Sequence, residues 1–457
     1  MSKRIAAAVL VLMLAASLAA GCAVAPASAP EPTAAPEPVT LTVTGGWPDC
    51  RAIETAAREF TEEYPNCTIV YEYLQDYYAS LEKRLTGEEQ IDLFFTTNIQ
   101  ADSALLPYAA DLNSLAPLDL SETFPGLIEN FTFRQEEGPA RLYAAPLGAE
   151  MRGLYINKTL LDSLGIAVPT DQASLLAACE TLRQKGYIPF HGNPSDFAQT
   201  LLYPWVCNLI AHGEDPAAVY AKVNAREPGI SELFREPFAF LYLLVEKDYY
   251  DYKKAQTDLG LFLETTDEDY SRDFLNVRKN GDVFEKVDDV GQVAFLPSPI
   301  SMNRVLEKTR EDYHSEIEYL FVPAPVGKDG GYAYLSPAHG MGINKNSANV
   351  EWSAKFLNFL LQPEHNKGFA ELFNVIPNTK GAFDYIDSLY DVPDDHISEL
   401  GQVTFGYGFY DAVFKSLVET SKANNPKYMN TAPDGSTSLY PLDYYMGHLE
   451  DNLMGKE

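Results

Sequence analysis

The sequence predicts an α/β protein of two lobes, each built on a mostly parallel sheet flanked by helices. Three observations carry that expectation. A chain of 457 residues with 46% hydrophobic and 12% aromatic content has apolar material for more than one core. Strand-like and helix-like periodicities alternate along it. The apolar run Ile91-Asp92-Leu93-Phe94-Phe95 is of the kind that a parallel strand covered on both faces needs.

Before the fold begins, Lys3 and Arg4 precede an uncharged apolar stretch from Ile5 to Ala20 that is short for a bilayer span, so residues 1–21 read as an export signal. The stretch ends Leu18-Ala19-Ala20-Gly21-Cys22. Small residues before a cysteine suit a peptidase that exposes a thiol for lipidation, and this end resembles a bacterial lipobox. Ala19 stands where a bulky aliphatic residue is usual, with Leu18 one place early. A plain secretory cut near Ala20 is the alternative, leaving Cys22 an incidental thiol. Residues 22–39 then form a tether, since Ala, Ser, Thr, Glu and repeated Pro cannot bury a core and favour extended chain.

Val39 to Thr44 alternates apolar and polar residues, the mark of a strand. Ile53, Ala56, Ala57, Phe60 and Tyr64 recur at helical spacing until Pro65 stops the run. Thr68 to Leu74 is β-rich and Tyr78 to Leu85 helix-like. Further strands are expected at Gly153–Asn157, Gln292–Leu296, Tyr319–Val322 and Met341–Asn344. Helices are expected between them, notably over Leu175–Lys185 and Trp352–Leu361. No short-period repeat is visible, which excludes a solenoid.

Charge and chemistry narrow the function. The net charge of −31 becomes more negative once Lys3 and Arg4 leave with the signal, and such a surface repels nucleic acid. Cys50 and Cys67 flank a helix about 20 Å long at ~1.5 Å per residue, too far for a bridge. Cys179 and Cys207 show no metal-site spacing, and buried free thiols are the simpler reading of all four. There is no G-x-S-x-G, H-E-x-x-H, Walker loop or G-x-G-x-x-G, and the seven histidines form no pair at helical spacing. No metal and no cofactor are expected. The acidic Asp267-Glu268-Asp269 lacks the Gly and closing Glu of a calcium loop and reads as a solvated face.

An ordered series of segments then acquires meaning: Leu41-Thr42-Val43-Thr44, Tyr64-Pro65, Ile91 to Phe95, Tyr143-Ala144-Ala145-Pro146-Leu147, and Gly153-Leu154-Tyr155-Ile156-Asn157-Lys158-Thr159-Leu160-Leu161. Leu164-Gly165-Ile166-Ala167-Val168-Pro169, Phe321-Val322-Pro323-Ala324-Pro325, Ala354 to Leu360 and Val375-Ile376-Pro377 complete it. Together they resemble the family 1 extracellular solute-binding proteins, the maltose-binding-like receptors of ABC importers, from about residue 40 to 430. The resemblance implies a two-lobed periplasmic-binding-protein-like fold of type II with hinge strands. The first crossing is then at Pro146 to Glu150 and the return near Ser336 to Gly340. Residues 40–148 plus 338–380 make the first lobe and 149–337 plus 381–457 the second.

Ligand groups in open α/β sheets come from loops beyond the carboxyl ends of strands, and that rule selects candidates. In Gly45-Gly46-Trp47-Pro48-Asp49, two glycines admit close approach, Trp47 offers a flat face and Asp49 an acceptor. Asp49 as a helix cap and Trp47 as lobe packing are the structural alternatives. Thr97 and Asn98 follow the apolar strand as small polar groups, or as a simple turn. Glu150 and Arg152 stand at the crossing, where they grip a solute or pair with each other; Glu150 matches a family ligand position. Asn193 and Asp196 suit hydroxyl recognition, with Trp205 further along in core or cleft. Ser301 and Asn303 fall where relatives of this family place a stacking Trp that this sequence lacks, and Phe405, Tyr407, Phe409 and Tyr410 are a substitute stacking face or a packed helix start.

The resemblance implies capture of a small solute, a carbohydrate first of all, for membrane permease subunits of an ABC importer by a monomer tied to the membrane through Cys22. It implies no enzymatic activity and no nucleic-acid partner. A secreted glycoside hydrolase with paired carboxylates and a lipoprotein with an empty cleft are the rival classes.

Overall fold

The computed structural model describes residues 37–86, 91–96, 105–115, 118–133, 139–250, 267–327, 334–379, 413, 415–421, 429–434 and 436–456. The expected signal, Cys22 and the tether up to residue 36 lie outside the described residues. So do Thr97, Asn98 and the group Phe405, Tyr407, Phe409 and Tyr410. The compact unit that holds the fold begins at Thr40.

β1 (Val39–Gly45), α1 (Arg51–Glu63), β2 (Cys67–Tyr73), α2 (Tyr77–Thr86) and β3 (Leu93–Thr96) follow in the expected order. β1 buries Leu41 and Val43, and α1 buries Ile53 and Phe60 from its periodic face. β1 and β3 run parallel, with Val43 opposite Leu93. Asp92 is tolerated in the buried run because Thr42 N donates to it at 2.7 Å and Asn349 Nδ2 at 3.3 Å.

A 3-10 turn at Leu112–Ser114, α3 (Pro125–Asn130) and the hairpin of β4 (Thr132–Phe133) and β5 (Arg141–Leu142) lead into β6 (Ala145–Asn157). The expected strand Gly153–Asn157 is only the second half of β6, because Pro146 and Gly148 disguise its first half. Asn157 ends β6 and caps α4 (Lys158–Leu164) by accepting from Leu160 N at 2.9 Å, and Gly165 closes that helix at φ 68°.

Next come α5 (Gln172–Gln184), β7 (Ile188–Phe190), α6 (Pro194–Ala211), α7 (Pro216–Asn224), a 3-10 turn at Ile230–Phe234 and α8 (Arg235–Glu246). α9 (Asp267–Phe274), the hairpin of β8 (Val277–Asn280) and β9 (Val283–Lys286), β10 (Val293–Pro299), α10 (Met302–Tyr313) and β11 (Tyr319–Val322) precede β12 (Tyr334–Ile343). The rest is α11 (Val350–Leu361), α12 (Pro363–Phe373), α13 (Lys415–Ser421), the hairpin of β13 (Met429–Thr431) and β14 (Thr437–Leu439), and α14 (Leu442–Leu453).

The principal sheet runs β2-β1-β3-β12-β6-β10-β7, with β11 also on β6. It was expected to be mostly parallel and is mixed. β1–β3 and β7–β10 are parallel, whereas β6 runs antiparallel to β10, β11 and β12, and β12 antiparallel to β3. The two segments expected to cross lie side by side, with Ser336 opposite Glu150 and Gly340 opposite Pro146. β12 bulges on both sides of His339. A third segment joins them: Ile376 and Ala149 exchange both backbone hydrogen bonds, at 2.8 and 2.9 Å, and Asn366 Nδ2 donates to Leu147 O at 2.9 Å.

α14 packs on α8 and on the 3-10 turn at Ile230–Phe234. Its Glu450 carboxylate accepts from Gly229 N at 2.6 Å and Ser231 N at 3.1 Å, and Arg235 reaches Asp443 at 2.8 Å. Cys50, Cys67, Cys179 and Cys207 are buried free thiols, as expected. Among the described residues no helix is long and apolar enough to cross a membrane.

Candidate functional site

Two tyrosines brace the loop after β1, Tyr71 bonding to it and Tyr77 joining Thr44 of β1 to Phe95 of β3. Tyr71 OH donates to Trp47 O at 2.9 Å, and Tyr77 OH donates to Phe95 O at 2.7 Å. A Cβ at Gly45 would run into the Tyr71 hydroxyl, and one at Gly46 would press on Tyr77 at 3.2 Å. The glycines therefore admit tyrosines that brace the loop. Trp47, partly exposed, meets Phe95, His339 and Phe373 edge-to-face at centroid distances of 5.1, 5.0 and 5.2 Å. Asp49 is exposed, 3.9 Å from Arg51, and α1 starts at Cys50 with no side-chain cap, so Asp49 is left to solvent and not used as a cap.

Glu150 and Arg152 lie two residues apart on β6 and so share a face. They do not pair as a closed couple. Arg152 Nη1 makes its ion pair with Asp196 Oδ1 at 2.5 Å, while Glu150 Oε1 accepts from Ser301 N at 3.0 Å. Burial pushes the Glu150 carboxyl up to about 7, against the Ser301 hydrogen bond and the Arg152 charge, which pull it down. Burial also works against the charge of Arg152, yet the carboxylate of Asp196 outweighs it and holds the guanidinium above its ordinary range.

The start of α10 is held where Glu150 needs it. Tyr155 OH donates to Ile300 O at 2.7 Å, and Asn374 Nδ2 donates to Ser301 O at 3.1 Å. Asn374 adopts the left-handed conformation at the end of α12, directly after Phe373 of the aromatic cluster. Hence a line of contacts runs from Trp47 and His339 through Phe373 and Asn374 to Ser301 and Glu150, and Arg152, two residues along the same face of β6, carries the pair with Asp196. Such a line, part aromatic and part hydrogen-bonding, can grip a solute with both apolar faces and polar edges.

The other expected residues have structural partners of their own. Asn193 caps α6, accepting from Ser195 N at 2.8 Å. Asn303 Oδ1 lies 3.1 Å from the Tyr319 hydroxyl. Trp205 is a core residue, 6% exposed and 5.4 Å from Phe240. Its position on α6 explains this: nine residues beyond Asp196 is about half a turn out of phase at ~3.6 residues per turn, so it faces away from Arg152. Asp267-Glu268-Asp269 forms the first turn of α9, with Asp269 paired to Arg272 at 2.6 Å. A separate cavity of about 660 Å³, lined by Leu106, Asp111, Phe133, Arg141, Tyr143 and Lys345 among others, contains none of the expected residues.

Sequence reasoning missed His339, Phe373 and Asn374. An imidazole inside the expected return segment Ser336–Gly340 was the available signal. Phe373 and Asn374 gave none, because only tertiary packing brings the end of α12 to the start of α10.

The sequence model of the family described as bacterial extracellular solute-binding protein matches residues 55–395. No curated protein matches the chain. Among solved structures, the GacH receptor of Streptomyces glaucescens, known unliganded and with acarbose, is 16% identical with a TM-score of 0.58, over 92% of this chain and 99% of that one. A family 1 extracellular solute-binding protein of Bifidobacterium longum subsp. infantis is 14% identical with a TM-score of 0.60, over 91% and 99%. A sugar transporter of Bacillus licheniformis in complex with stachyose is 18% identical with a TM-score of 0.54, over 92% and 100%. These likenesses establish the architecture, and the family match, spanning most of the chain, establishes membership: the protein belongs to the bacterial extracellular solute-binding proteins.

Proposed function

We propose that the chain is the solute receptor of an ABC importer and that its solute is a carbohydrate, held between two lobes and handed to membrane permease subunits. The first lobe is residues 40–148 with 338–380, the second 149–337 with 381–457. The hinge is the set of adjacent segments around Ala149, Ser336–Gly340 and Ile376. Cys22 carries the lipid, and residues 23–39 tether the receptor to the outer face of the membrane.

The observation that carries this reading is the junction at Ser301. Its backbone N–H is held by Glu150 of β6 and its carbonyl by Asn374, so a residue at the start of α10 is tied to the crossing segments from two sides. A solute that competes for or completes these hydrogen bonds alters how the segments sit, which is how binding is coupled to closure. Trp47 supplies the face for a sugar ring, and Glu150, Asp196 and Ser301 the acceptors and donors for hydroxyls. Acarbose and stachyose, bound by two of the similar proteins, make carbohydrate the first solute class to test.

A thermal-shift screen over mono- and oligosaccharides, polyols, amino acids and peptides tests the assignment. A ligand at a hundred times its Kd stabilises the native state by about 2.7 kcal/mol. At least one saccharide is expected to raise the melting temperature and to be recovered chemically unchanged. A response to peptides or amino acids alone refutes the carbohydrate assignment, and recovery of cleaved sugar refutes the receptor.

A further inference from the structure

His339 is an imidazole in surroundings made for a phenyl ring. It stands at the bulge of β12 beside Gly148 of β6, with ring centroids of Phe373, Trp47 and Phe95 at 4.7, 5.0 and 6.1 Å. Its Nδ1 is buried and has no hydrogen-bond partner among the described residues. Buried polar atoms are almost always satisfied, and leaving one unpartnered destabilises a fold. Phenylalanine would fill the same aromatic cluster without that cost, so packing alone gives no reason for a histidine. Burial holds the ring neutral at ordinary pH, its pKa lowered to about 4. A neutral imidazole carries one donor and one acceptor nitrogen, the pattern that matches adjacent hydroxyl groups.

We propose that His339 is a specificity-determining residue of the solute site, whose ring nitrogens hydrogen-bond hydroxyls of a neutral polyhydroxylated solute seated against Trp47. The proposal rests on the carbohydrate reading above and extends it to a residue on the second crossing strand. It explains why the Trp47 face is bordered by a polar ring: a sugar presents CH-rich surface to the indole and hydroxyl edges beside it. Through Phe373 and the adjoining Asn374 the same ring is linked to the Ser301 junction, where Glu150 accepts from Ser301 N.

The test compares wild type with His339→Phe and His339→Gln, by melting without ligand and by calorimetric titration with raffinose, stachyose, maltotriose and xylotriose. The Phe variant is expected to melt at or above the wild-type temperature and to bind the best of the four sugars at least tenfold more weakly. The Gln variant, which keeps a donor and an acceptor, is expected to bind more tightly than the Phe variant. Equal affinities of the Phe variant and wild type overturn the inference and leave the carbohydrate reading standing. A Phe variant that melts well below wild type overturns it too, because the nitrogen is then structural. Failure of wild type to bind these four or any other saccharide of the thermal-shift screen overturns the carbohydrate reading and this inference with it.

Discussion

Glu150 concentrates the electrostatics of the site in one side chain. Its carboxyl is pushed up to about 7 from an ordinary 4.5, so between those values the folded protein holds a proton that the unfolded chain has released. The stability tied to that proton is therefore full below about pH 4.5 and lost as pH rises through about 7. His339 acts in the opposite sense. Its folded pKa is depressed to about 4, so its contribution is present above the ordinary 6.5 and is lost as pH falls through about 4. A Glu150→Gln comparison isolates the first effect: the melting temperature of wild type relative to the variant is expected to rise as pH is lowered from about 7.5 to about 5. A pH-independent difference would show that the carboxyl is not buried in the crossing. Trp47→Ala is expected to weaken solute binding at least tenfold, about 1.4 kcal/mol. Because the indole also packs on Phe95 and Phe373, the fold should lose roughly 1–3 kcal/mol, less than the ~3–5 kcal/mol of a fully buried ring. Calorimetry and urea unfolding read the two losses separately.

At the scale of elements, β6 and β12 decide where everything else stands. Gly340 follows the bulge at His339, and a Cβ there would lie 2.5 Å from the Phe131 ring. Gly340→Ala is therefore expected to cost about 1–3 kcal/mol of stability by overpacking, read as a lower urea midpoint at unchanged slope. Arg152→Ala leaves the Asp196 carboxylate without its 2.5 Å partner and should cost about 1–3 kcal/mol, with Asp196→Asn in the Arg152→Ala background recovering part of it. If the double variant is no more stable than the single one, the pair is not what holds α6 to β6. Much of this layer was legible in sequence. The alternation of Val39 to Thr44 marked β1, and the helical spacing of Ile53 to Tyr64, stopped by Pro65, marked α1. The first half of β6 was hidden by Pro146 and Gly148, residues that lower strand propensity without preventing a strand paired on both sides. Trp205 stayed open between core and cleft because an aromatic near polar loops looks the same in sequence whichever side of its helix it faces; it is a core residue. The contact of Asn374 with Ser301 spans more than seventy positions and leaves no local trace.

Across the whole molecule, segments distant in sequence meet: the Trp47 loop, β6 at Glu150, the start of α10 at Ser301, β12 at His339 and the end of α12 at Asn374. On the proposed two-lobe division the halves of this α/β framework share strands, so a solute touching both would favour the state in which they are closest. The resemblance to known receptors was readable from the order of short segments, none decisive alone, because they fall on successive elements and their ends, from Leu41–Thr44 within β1 to Ala354–Leu360 within α11. What the order of segments did not yield is the identity of the solute, since recognition depends on side chains that only packing brings together, as it does His339 and Phe373. The most direct test is small-angle X-ray scattering of the purified protein, alone and saturated with the saccharide that most raises its melting temperature. The account predicts a smaller radius of gyration with the sugar, and no such change in Glu150→Ala at the same concentration. Superimposable wild-type profiles with and without a sugar shown by calorimetry to be bound would contradict closure around the solute.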